Sequence, residues 1–471
     1  MTLVVKFGGT SVGDAVAIER TVDLILRYQA EFGQIVAVAS AMSGVTDLLL
    51  KGAQAAQGGD DVTYGDVAAA LRRRHFAAAD ELAEAETDRQ TLTEQIDAYV
   101  TRYESLCKAV LVLGELTPRA LDTISAMGEH MSVRLVAAAL RARGQAAEAV
   151  DAFELIVTDD NFQAATPLLS ETAAKSEDRL QPLLSQGTVP VVTGFIGATQ
   201  AGATTTLGRG GSDYSAALLG QALQATEVWI WTDVDGVMSA DPRLVPEARS
   251  LPTLSYREIA ELAFYGAKVL HPKTIRPVVE NDIPLRIKNT FNPDHPGTVI
   301  VPRSTHSNGD VKAVTAVREL SLVNVEGKGM MGVPGIAART FGAVARLRTN
   351  VLLISQASSE QSICFAVPAR AAAHVVAGLQ SEFADELERR DVDRIWAQEP
   401  VAIVTAVGAG MRGTPGIAGR IFGALGQRGV NIIAIAQGSS ECSISLVVEE
   451  ADTAAAEKAI HGLILESIPT D

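Results

Sequence analysis

The sequence predicts an α/β protein in which a mostly parallel sheet is sandwiched by helices and is followed by two ferredoxin-like βαββαβ modules. Two observations support this prediction. Strand-like and helix-like segments alternate over the first ~300 residues, as expected for a parallel sheet covered on both faces. Beyond residue 311, a pattern of strand, glycine-rich loop, helix, two strands and helix occurs twice. This pattern predicts two copies of a small antiparallel module with helices on one face.

The elements of the first part follow from their apolar patterns. An apolar run predicts a buried strand over 4–7, and apolar residues at helical spacing predict a helix over 18–26. Further elements are a strand over 35–41, a long amphipathic helix over 96–113, and strands over 189–195 and 228–231. The charged, alanine-rich segment 51–95 is interpreted as a solvated helical excursion without assigned chemistry. Ligands of such folds bind beyond the carboxyl ends of the strands.

The second part contains an ungapped repeat. The segment 329–337 recurs as 410–418, so that Gly335 and Gly416 lie 81 positions apart. The same offset relates Asn350 to Asn431 and Gln356 to Gln437. Pro334 and Pro415 are predicted to occupy the first helical position, where a missing N–H is tolerated. Each loop then presents free N–H groups at a helix N-terminus, a geometry that suits a small carboxylate. The alternative is duplicated scaffolding.

Composition narrows the functional classes. The 471 residues, 47% hydrophobic and 20% charged, predict a globular protein of roughly three domains. A net charge of −16 argues against broad binding to nucleic acid or anionic membranes. Cys107, Cys364 and Cys442 have no metal-ligand spacing and fit a reducing cytoplasm. The N-terminus has no signal-peptide pattern, and no apolar run reaches ~18 residues, so that we expect a cytoplasmic protein without a membrane span.

The first chemical motif is Lys6 followed by Phe7, Gly8, Gly9, Thr10 and Ser11. Glycines let the backbone approach a ligand, successive N–H groups form an anion nest, and lysine adds a point charge suited to phosphate. The motif therefore indicates a nucleotide-phosphate site. The Walker spacing is absent, and the alternative is an ordinary strand ending in a Gly-Gly turn.

The second motif is the glycine-rich loop 206–211, which leads into a helix predicted over 215–223. Arg209 can hold a carboxylate through two parallel hydrogen bonds. Ser212 and Asp213 stand at the helix start, where the alternative is simple N-capping.

Three further segments carry polar residues at predicted element ends. A strand ends in Thr232 and Asp233, and Asp241 and Arg243 follow. The segment 264–272 contains Lys268 and His271, of which the histidine is interpreted as structural. Ser40 and Thr46 after the second strand, and Glu129 near a helix start, have capping explanations as good as functional ones.

Together these segments closely resemble the aspartokinase family over nearly the whole chain. The combination of Lys-Phe-Gly-Gly-Thr-Ser, Gly-Phe-Ile-Gly at 194–197, Thr-Leu-Gly-Arg-Gly-Gly-Ser-Asp and Gly-Ala-Lys-Val-Leu-His-Pro is highly specific. The resemblance implies an amino-acid-kinase fold over 1–305, a first ACT domain over 318–395 and a second over 399–471, with a strand over 311–317 added to the second. It implies ATP-dependent phosphorylation of the L-aspartate side-chain carboxylate, the first step toward lysine, threonine and methionine.

The resemblance also implies roles for individual residues. The catalytic residues are Lys6, Asp213 and Lys268, and the aspartate pocket is Ser40, Thr46, Glu129, Arg209 and Ser212. The nucleotide contacts are Lys6, Gly8, Gly9, Ser11, Thr232, Asp233, Asp241, Arg243 and Lys268. Mg²⁺ is expected to arrive on the ATP phosphates, with no metal site in the protein itself. Met238 stands where relatives often carry a tyrosine near the nucleotide.

The ACT domains imply a homodimer and an end-product effector. The effector contacts are expected at Met330, Gly335, Ile336, Ala337, Asn350, Gln356 and Gln437. Lysine-binding relatives often place an aspartate where this chain has Ile354, which cannot pair an ammonium. Gln356 and Gln437 can hydrogen-bond a hydroxyl, so that threonine is favoured over lysine. No dehydrogenase segment is expected, since the sequence ends at Asp471.

Two alternatives remain open. One is another carboxylate or carbamate kinase of the same fold, such as a glutamate 5-kinase, against which the sensor repeat and the Arg209 loop argue. The other is an inactive amino-acid-binding regulator, against which the two lysines, Asp213 and Glu129 argue.

Overall fold

The computed structural model describes residues 1–267, 270, 272–302, 311–357, 361–438 and 441–466. The chain divides into two compact units. The first comprises Met1–Val237, Ser250–Tyr256 and Leu270–Arg303. The second comprises Met238–Arg249, Arg257–Val269 and Ser304–Asp471. Lys268 and His271 lie outside the described residues.

The first unit is built from alternating strands and helices. Its strands are β1 (Thr2–Phe7), β2 (Gln34–Ala39), β3 (Ala147–Val150), β4 (Val157–Thr158), β5 (Val189–Thr193), β6 (Ile196–Thr199), β7 (Thr204–Thr206), β8 (Glu227–Thr232), β9 (Thr253–Ser255), β10 (Leu285–Asn289) and β11 (Thr298–Val301). The helices up to residue 142 are α1 (Ala15–Phe32), α2 (Val45–Gln57), α3 (Thr63–Leu82), α4 (Glu86–Leu113), α5 (Pro118–Ser125) and α6 (Met127–Ala142). The later helices are α7 (Leu169–Ser185), α8 (Gly211–Ala222), α9 (Tyr256–Phe264), of which only Tyr256 belongs to this unit, and α10 (Pro272–Glu280).

Eight strands form the central sheet in the order β3-β5-β2-β1-β8-β10-β11-β9. Neighbouring strands are parallel, except that β10 and β11 are antiparallel. The prediction of a mostly parallel sheet is therefore confirmed. Lys6 of β1 lies beside Val38 of β2 and Ile230 of β8. This register brings the carboxyl ends of three neighbouring strands, and the loops that follow them, to one edge of the sheet.

The segment 51–95 is helical, but its interpretation as a solvated excursion was wrong for one face. Val67, Leu71 and Ala78 of α3 are buried in the same apolar core as Leu49 of α2. Small alanine side chains at helical spacing let these helices pack closely against the body of the unit. The long helix also differs from its prediction at its end, since Leu113 is 72% exposed.

The second unit contains the repeat. Its strands are β12 (Ala313–Glu326), β13 (Leu353–Gln356), β14 (Ser362–Pro368), β15 (Arg394–Val407), β16 (Ala434–Ala436) and β17 (Ser443–Glu449). Its helices are α11 (Ile336–Arg346), α12 (Ala369–Glu382), α13 (Ala384–Arg389), α14 (Ile417–Gln427) and α15 (Thr453–Glu466). The six strands form one antiparallel sheet in the order β13-β14-β12-β15-β17-β16.

The two long strands serve both copies of the repeat. The first part of β12, from Ala313 to Val317, pairs with the end of β15, which also pairs with β17. The later part of β12 pairs with β14 and with the beginning of β15. The register shifts between Val317 and Leu322, where β12 passes from one copy to the other.

The two prolines of the repeat lie outside the helices, so that their prediction at the first helical position was wrong. Helix α11 begins at Ile336 after the capping residue Gly335, and α14 begins at Ile417 after Gly416. Both glycines have positive φ, 93° and 88°. Because glycine adopts this conformation without strain, the chain turns at the glycine and the helix begins two residues after the proline.

Two segments from the middle of the chain belong to the second unit. Ala240 and Val245 are buried in the core that contains Ile460 of α15, and Ser239 Oγ lies 2.9 Å from His461 Nε2. In the other segment, Glu258 of α9 accepts a hydrogen bond from Ala409 N and lies 3.1 Å from Lys312 Nζ. Both segments fall in the range expected for the catalytic domain, yet they pack among residues of the repeat.

Candidate active site

A cavity of about 560 Å³ opens at the carboxyl ends of β1 and β2 and at the beginning of α8. It lies wholly within the first unit. The predicted site residues that line it are Lys6, Gly9, Ser40, Thr46, Glu129, Arg209, Ser212, Asp213 and Asp233. Parallel strands therefore bring together residues that are far apart in the sequence, as expected for a ligand site of this architecture.

Lys6 and Asp213 form an ion pair at the cavity wall. The distance from Lys6 Nζ to Asp213 Oδ1 is 2.6 Å, and the two side chains are 13% and 14% exposed. Lys6 is the penultimate residue of β1, and Asp213 lies in the first turn of α8, where the helix dipole stabilises a carboxylate. Asp213 thus fixes the lysine ammonium while leaving its remaining donors toward the cavity.

The loop after β1 and the loop after β2 lie against each other. Ser43 N donates to Gly9 O at 3.1 Å. A Cβ atom on Gly9 would lie 3.0 Å from Ala41 O, so that only glycine fits there without displacement. Gly8 and Ser11 do not line the cavity, and the buried Ser11 hydroxyl lies 2.8 Å from Thr290 Oγ1.

The loop before α8 provides the polar wall of the cavity. Gly210, with φ of 73°, is the residue that caps α8, and no side chain caps this helix. The capping explanation for Ser212 was therefore wrong. Ser40 Oγ donates to Ser212 Oγ at 3.0 Å. Arg209 lines the cavity with an exposed side chain and forms no ion pair with a carboxylate of the described residues.

Glu129 is the one deeply buried carboxylate that lines this cavity among the described residues. It lies in the first turn of α6 and is 4% exposed. Its Oε1 accepts from Ala41 N at 3.1 Å, while Oε2 has no hydrogen-bond partner in the described part of the chain. Burial raises the pKa of the Glu129 carboxyl to about 8. A buried carboxylate with an unsatisfied oxygen is stabilised by a proton or by a cationic ligand group.

Asp122 supports the Arg209 loop and was missed at the level of sequence. It is buried on α5, and it accepts hydrogen bonds from Thr206 N at 2.9 Å and from Thr206 Oγ1 at 2.8 Å. It also accepts from Gln163 N at 2.9 Å. Gln163 O lies 3.0 Å from where a Cβ atom on Gly208 would be. The Asp122 carboxylate thus connects the segments around Gln163 and Thr206, which set the path of the Arg209 loop. No local sequence pattern predicts this role.

Phe195 also lines the cavity and was not among the predicted site residues. Its φ is 69°, a value that strains an aromatic residue. Phe195 N donates to Ser215 Oγ at 3.0 Å, which holds this conformation. The flanking Gly194 and Gly197 were the available sequence signal.

The predicted nucleotide contacts are divided between the units. Thr232 and Asp233 lie at the end of β8, where the Thr232 hydroxyl donates to Asp233 Oδ1 at 3.1 Å. Asp241, Arg243 and the half-buried Met238 belong to the second unit. Arg243 there pairs with Asp241 at 2.7 Å, which lowers the pKa of the Asp241 carboxyl. Lys268 lies outside the described residues.

Two equivalent cavities lie in the repeat. The first, about 330 Å³, is lined by Met330, Gly335, Ile336, Ala337 and Gln356 among others. The second, about 320 Å³, is lined by the matching residues, including Gln437 in place of Gln356. Gln356 and Gln437 thus belong to separate cavities. Asn350 is exposed and lines neither.

Neither a metal cluster nor a membrane span is found in the part of the chain described. No three His, Cys, Asp or Glu residues within it could together hold a metal ion. No helix within the same ranges is both long and apolar enough to cross a membrane.

Comparison with known proteins assigns the fold. The model of the amino acid kinase family matches residues 1–289, and the model of the ACT domain matches residues 323–383 and 404–463. The chain therefore belongs to the amino acid kinase family and carries two ACT domains. The resemblance inferred from the sequence motifs is confirmed.

The individual relatives are aspartokinases. Bifunctional aspartokinase/homoserine dehydrogenase 2 of Zea mays is 40% identical over 97% of the chain and 50% of the relative. The chain thus spans about half the length of the bifunctional curated relatives that it matches. Aspartokinase 2 of Arabidopsis thaliana is 34% identical over 100% of the chain and 85% of the relative. Within the family, the chain is a member of the aspartokinases.

Solved structures agree with this placement. E. coli aspartokinase III in complex with aspartate and ADP, in the R-state, is 30% identical, with a TM-score of 0.81 over 99% of this chain and 100% of that one. The same enzyme in complex with lysine and aspartate, in the T-state, is 31% identical, with a TM-score of 0.78 over 98% and 99%.

Proposed function

We propose that the protein transfers the γ-phosphoryl group of ATP to the side-chain carboxylate of L-aspartate and so forms 4-phospho-L-aspartate. The observation that carries this proposal is one cavity lined by the Lys6–Asp213 ion pair, by Arg209 and by the buried Glu129, one oxygen of which has no hydrogen-bond partner among the described residues. The solved E. coli aspartokinase III holds aspartate and ADP together. The products would feed the synthesis of lysine, threonine and methionine.

The cavity offers complementary charges to a small amino acid. Glu129 Oε2 would accept a hydrogen bond from the α-ammonium group, which satisfies the oxygen that has no partner in the described part of the chain. Arg209 would hold the α-carboxylate through its planar guanidinium. Ser40, Thr46 and Ser212 would then orient the side-chain carboxylate toward Lys6.

The chemistry requires electrostatic stabilisation more than proton transfer. The side-chain carboxylate is already ionised at pH 7, so that no general base is needed. Lys6, Lys268 and the backbone amide of Gly9, which lines the cavity, would offset the charge on the transferred phosphoryl group. Gly8 and Ser11 would shape this loop, since their own amides donate to Trp231 O and Gly8 O. Mg²⁺, bound to the ATP phosphates, would supply further charge neutralisation. The remaining nucleotide contacts proposed are Thr232, Asp233, Asp241 and Arg243, with Met238 replacing an aromatic contact.

The test is ADP release with Mg-ATP and L-aspartate, measured beside L-glutamate. Turnover with aspartate supports the proposal. Turnover with glutamate but not aspartate supports the alternative acceptor, and the absence of ADP release with both amino acids supports an inactive regulator. An Arg209→Ala variant should raise the KM for aspartate more than the KM for ATP. An unchanged aspartate KM would remove Arg209 from the acceptor pocket.

The ACT domains are proposed to bind an end-product amino acid, with threonine favoured over lysine, and to pair in a homodimer. The described residues that line the first cavity include no acidic side chain, so that a lysine ammonium would lack a partner among them. The second cavity is lined by Glu441. Gln356 can instead bond a threonine hydroxyl. The solved E. coli relative is in complex with lysine, so that lysine is the effector to test against threonine. Threonine and lysine titrated separately against activity decide between them, and inhibition by lysine alone refutes the preference.

A further inference from the structure

Arg74 connects the two loops that form one wall of the active-site cavity. It lies on α3, in the segment to which the sequence assigned no chemistry, and is half-buried. Its Nη1 donates to Ser43 O at 2.6 Å, and its Nη2 donates to Gly13 O at 2.8 Å. One guanidinium therefore spans the loop after β2 and the loop after β1.

The two carbonyls belong to loops with different proposed tasks. The loop after β1 contains Gly9, next to the proposed phosphate position. The loop after β2 contains Ser40 and leads into the first turn of α2, where Thr46 lies, and both residues line the proposed acceptor pocket. Apart from the bond between Ser43 N and Gly9 O, Arg74 joins these loops at a second point. Neither Arg74 nor Gly13 lines the cavity, so that Arg74 acts from behind its wall.

The chemistry of arginine suits this task. The guanidinium is planar and always charged, and it presents its donors in a rigid fork. Two carbonyls held by one fork keep a fixed separation, whereas a lysine ammonium is a compact charge with three rotatable donors on a flexible stem. A misplacement of about 1 Å between reacting groups can lower a rate by ~10²-fold.

We propose that Arg74 is a positioning residue that holds the acceptor loop and the phosphate loop at the separation needed for in-line transfer. This proposal rests on the proposed function, because the two loops are assigned to acceptor and phosphate there. The adjacent Arg73 is exposed and forms no ion pair with any described residue, which makes it a matched control on the same helix.

The experiment compares Arg74→Met, Arg74→Lys and Arg73→Met in the full chain. We expect Arg74→Met to lower kcat for aspartate phosphorylation by about 10–100-fold, with saturating substrates and intact folding. Arg74→Lys should recover part of the loss, and Arg73→Met should match the unsubstituted protein. A merely structural role would lower the unfolding temperature while leaving kcat per folded molecule unchanged, and that result would overturn the proposal.

Hydrogen exchange separates this proposal from the assigned reaction. In Arg74→Met, amides of residues 8–13 and 40–46 should exchange at least several-fold faster, and in Arg73→Met they should not. Unchanged exchange in both loops would overturn the positioning role. If the unsubstituted protein releases no ADP with aspartate, the proposed function fails, and the exchange rates still decide whether Arg74 holds the loops.

Discussion

Lys6 and Asp213 illustrate how an ion pair can fix a cationic side chain at the wall of a cavity. The lysine is held 2.6 Å from its carboxylate partner, at the end of a buried strand. Under the proposed function, a lysine whose position is fixed before substrate binds would meet the transferred group without reorganisation. Sequence alone predicted the lysine and its glycines. The distance to Asp213, more than 200 positions away, could be known only from the fold.

Removal of Lys6 should reduce turnover. We expect Lys6→Ala to lower kcat by ~10²–10³-fold, the loss seen when one preorganised donor is deleted. Steady-state kinetics with aspartate and Mg-ATP measures it. The control is Lys51→Ala, because Lys51 is exposed on α2 and does not line the cavity. Near-normal turnover in Lys6→Ala would exclude the lysine from the reaction.

Glu129 should make aspartate binding depend on pH. Burial raises its pKa to about 8 in the unliganded protein, and the proton must leave before the carboxylate can pair with the α-ammonium. The KM for aspartate should therefore fall by about fivefold from pH 7 to pH 8. In Glu129→Gln the KM should be high and nearly independent of pH over this interval. A flat profile in the unsubstituted protein would contradict the assignment.

The same shift acts on folding. The folded protein keeps this proton up to about pH 8, whereas the unfolded chain releases it near the usual value of 4.5. The folded state then binds more protons over that interval, so that the Glu129 contribution to the free energy of unfolding falls as pH rises.

At the scale of elements, the sequence predicted the strands and the loops better than the helix starts. Strand ends carried recognisable motifs because parallel strands must present their ligand-binding residues at one edge. Both helix starts in the repeat were predicted two residues too early, since Gly335 and Gly416 adopt a left-handed conformation that a pattern does not reveal. The buried face of α3 was missed because alanine gives a weak periodic signal.

The anchor on α5 provides a test at this scale. Asp122→Asn replaces one acceptor oxygen by a donor that faces the N–H groups of Gln163 and Thr206. A buried donor left without an acceptor destabilises by about 1–3 kcal/mol, and the Arg209 loop should shift. We expect a rise of about tenfold in the KM for aspartate, with less change in the KM for ATP.

The measurement combines kinetics with urea unfolding. Asp178→Asn on α7 is the control, because its side chain is exposed. Equal loss of affinity for aspartate and ATP would show that Asp122 supports the unit in general and has no particular effect on the loop.

For the whole molecule, the family models and the compact units divide the chain differently. The amino acid kinase model matches residues 1–289, but residues 238–249 and 257–269 within that range pack in the second unit. The chain therefore leaves the first unit and returns to it twice before the repeat begins. Sequence motifs identify the family of a segment, whereas the compact units depend on which apolar side chains pack together. A domain boundary drawn from motifs therefore cannot show that residues 238–249 and 257–269 pack in the second unit.

Removal of the repeat should show whether residues 238–249 need the second unit to fold. A chain that stops at residue 303 keeps the predicted kinase motifs but loses α15, against which Ala240 and Val245 are buried. We expect this fragment to expose apolar surface and to aggregate or to bind a hydrophobic dye, and to show less than about a tenth of full activity. Size-exclusion chromatography and dye fluorescence measure it. A monomeric, fully active fragment would contradict the structural division.

Because strands β12 and β15 are shared by both copies of the repeat, the two copies depend on each other. Ala313 pairs with Val407, nearly a hundred positions later. The repeated sequence segment therefore does not coincide with a self-contained structural module. Neither copy can be deleted, permuted or exchanged with a homologue's copy without removing a strand from its neighbour. The two copies should accordingly unfold in one cooperative transition. A substitution in the shared strands of one copy must also be compatible with the packing of the other copy, which limits how far the two sequences can diverge.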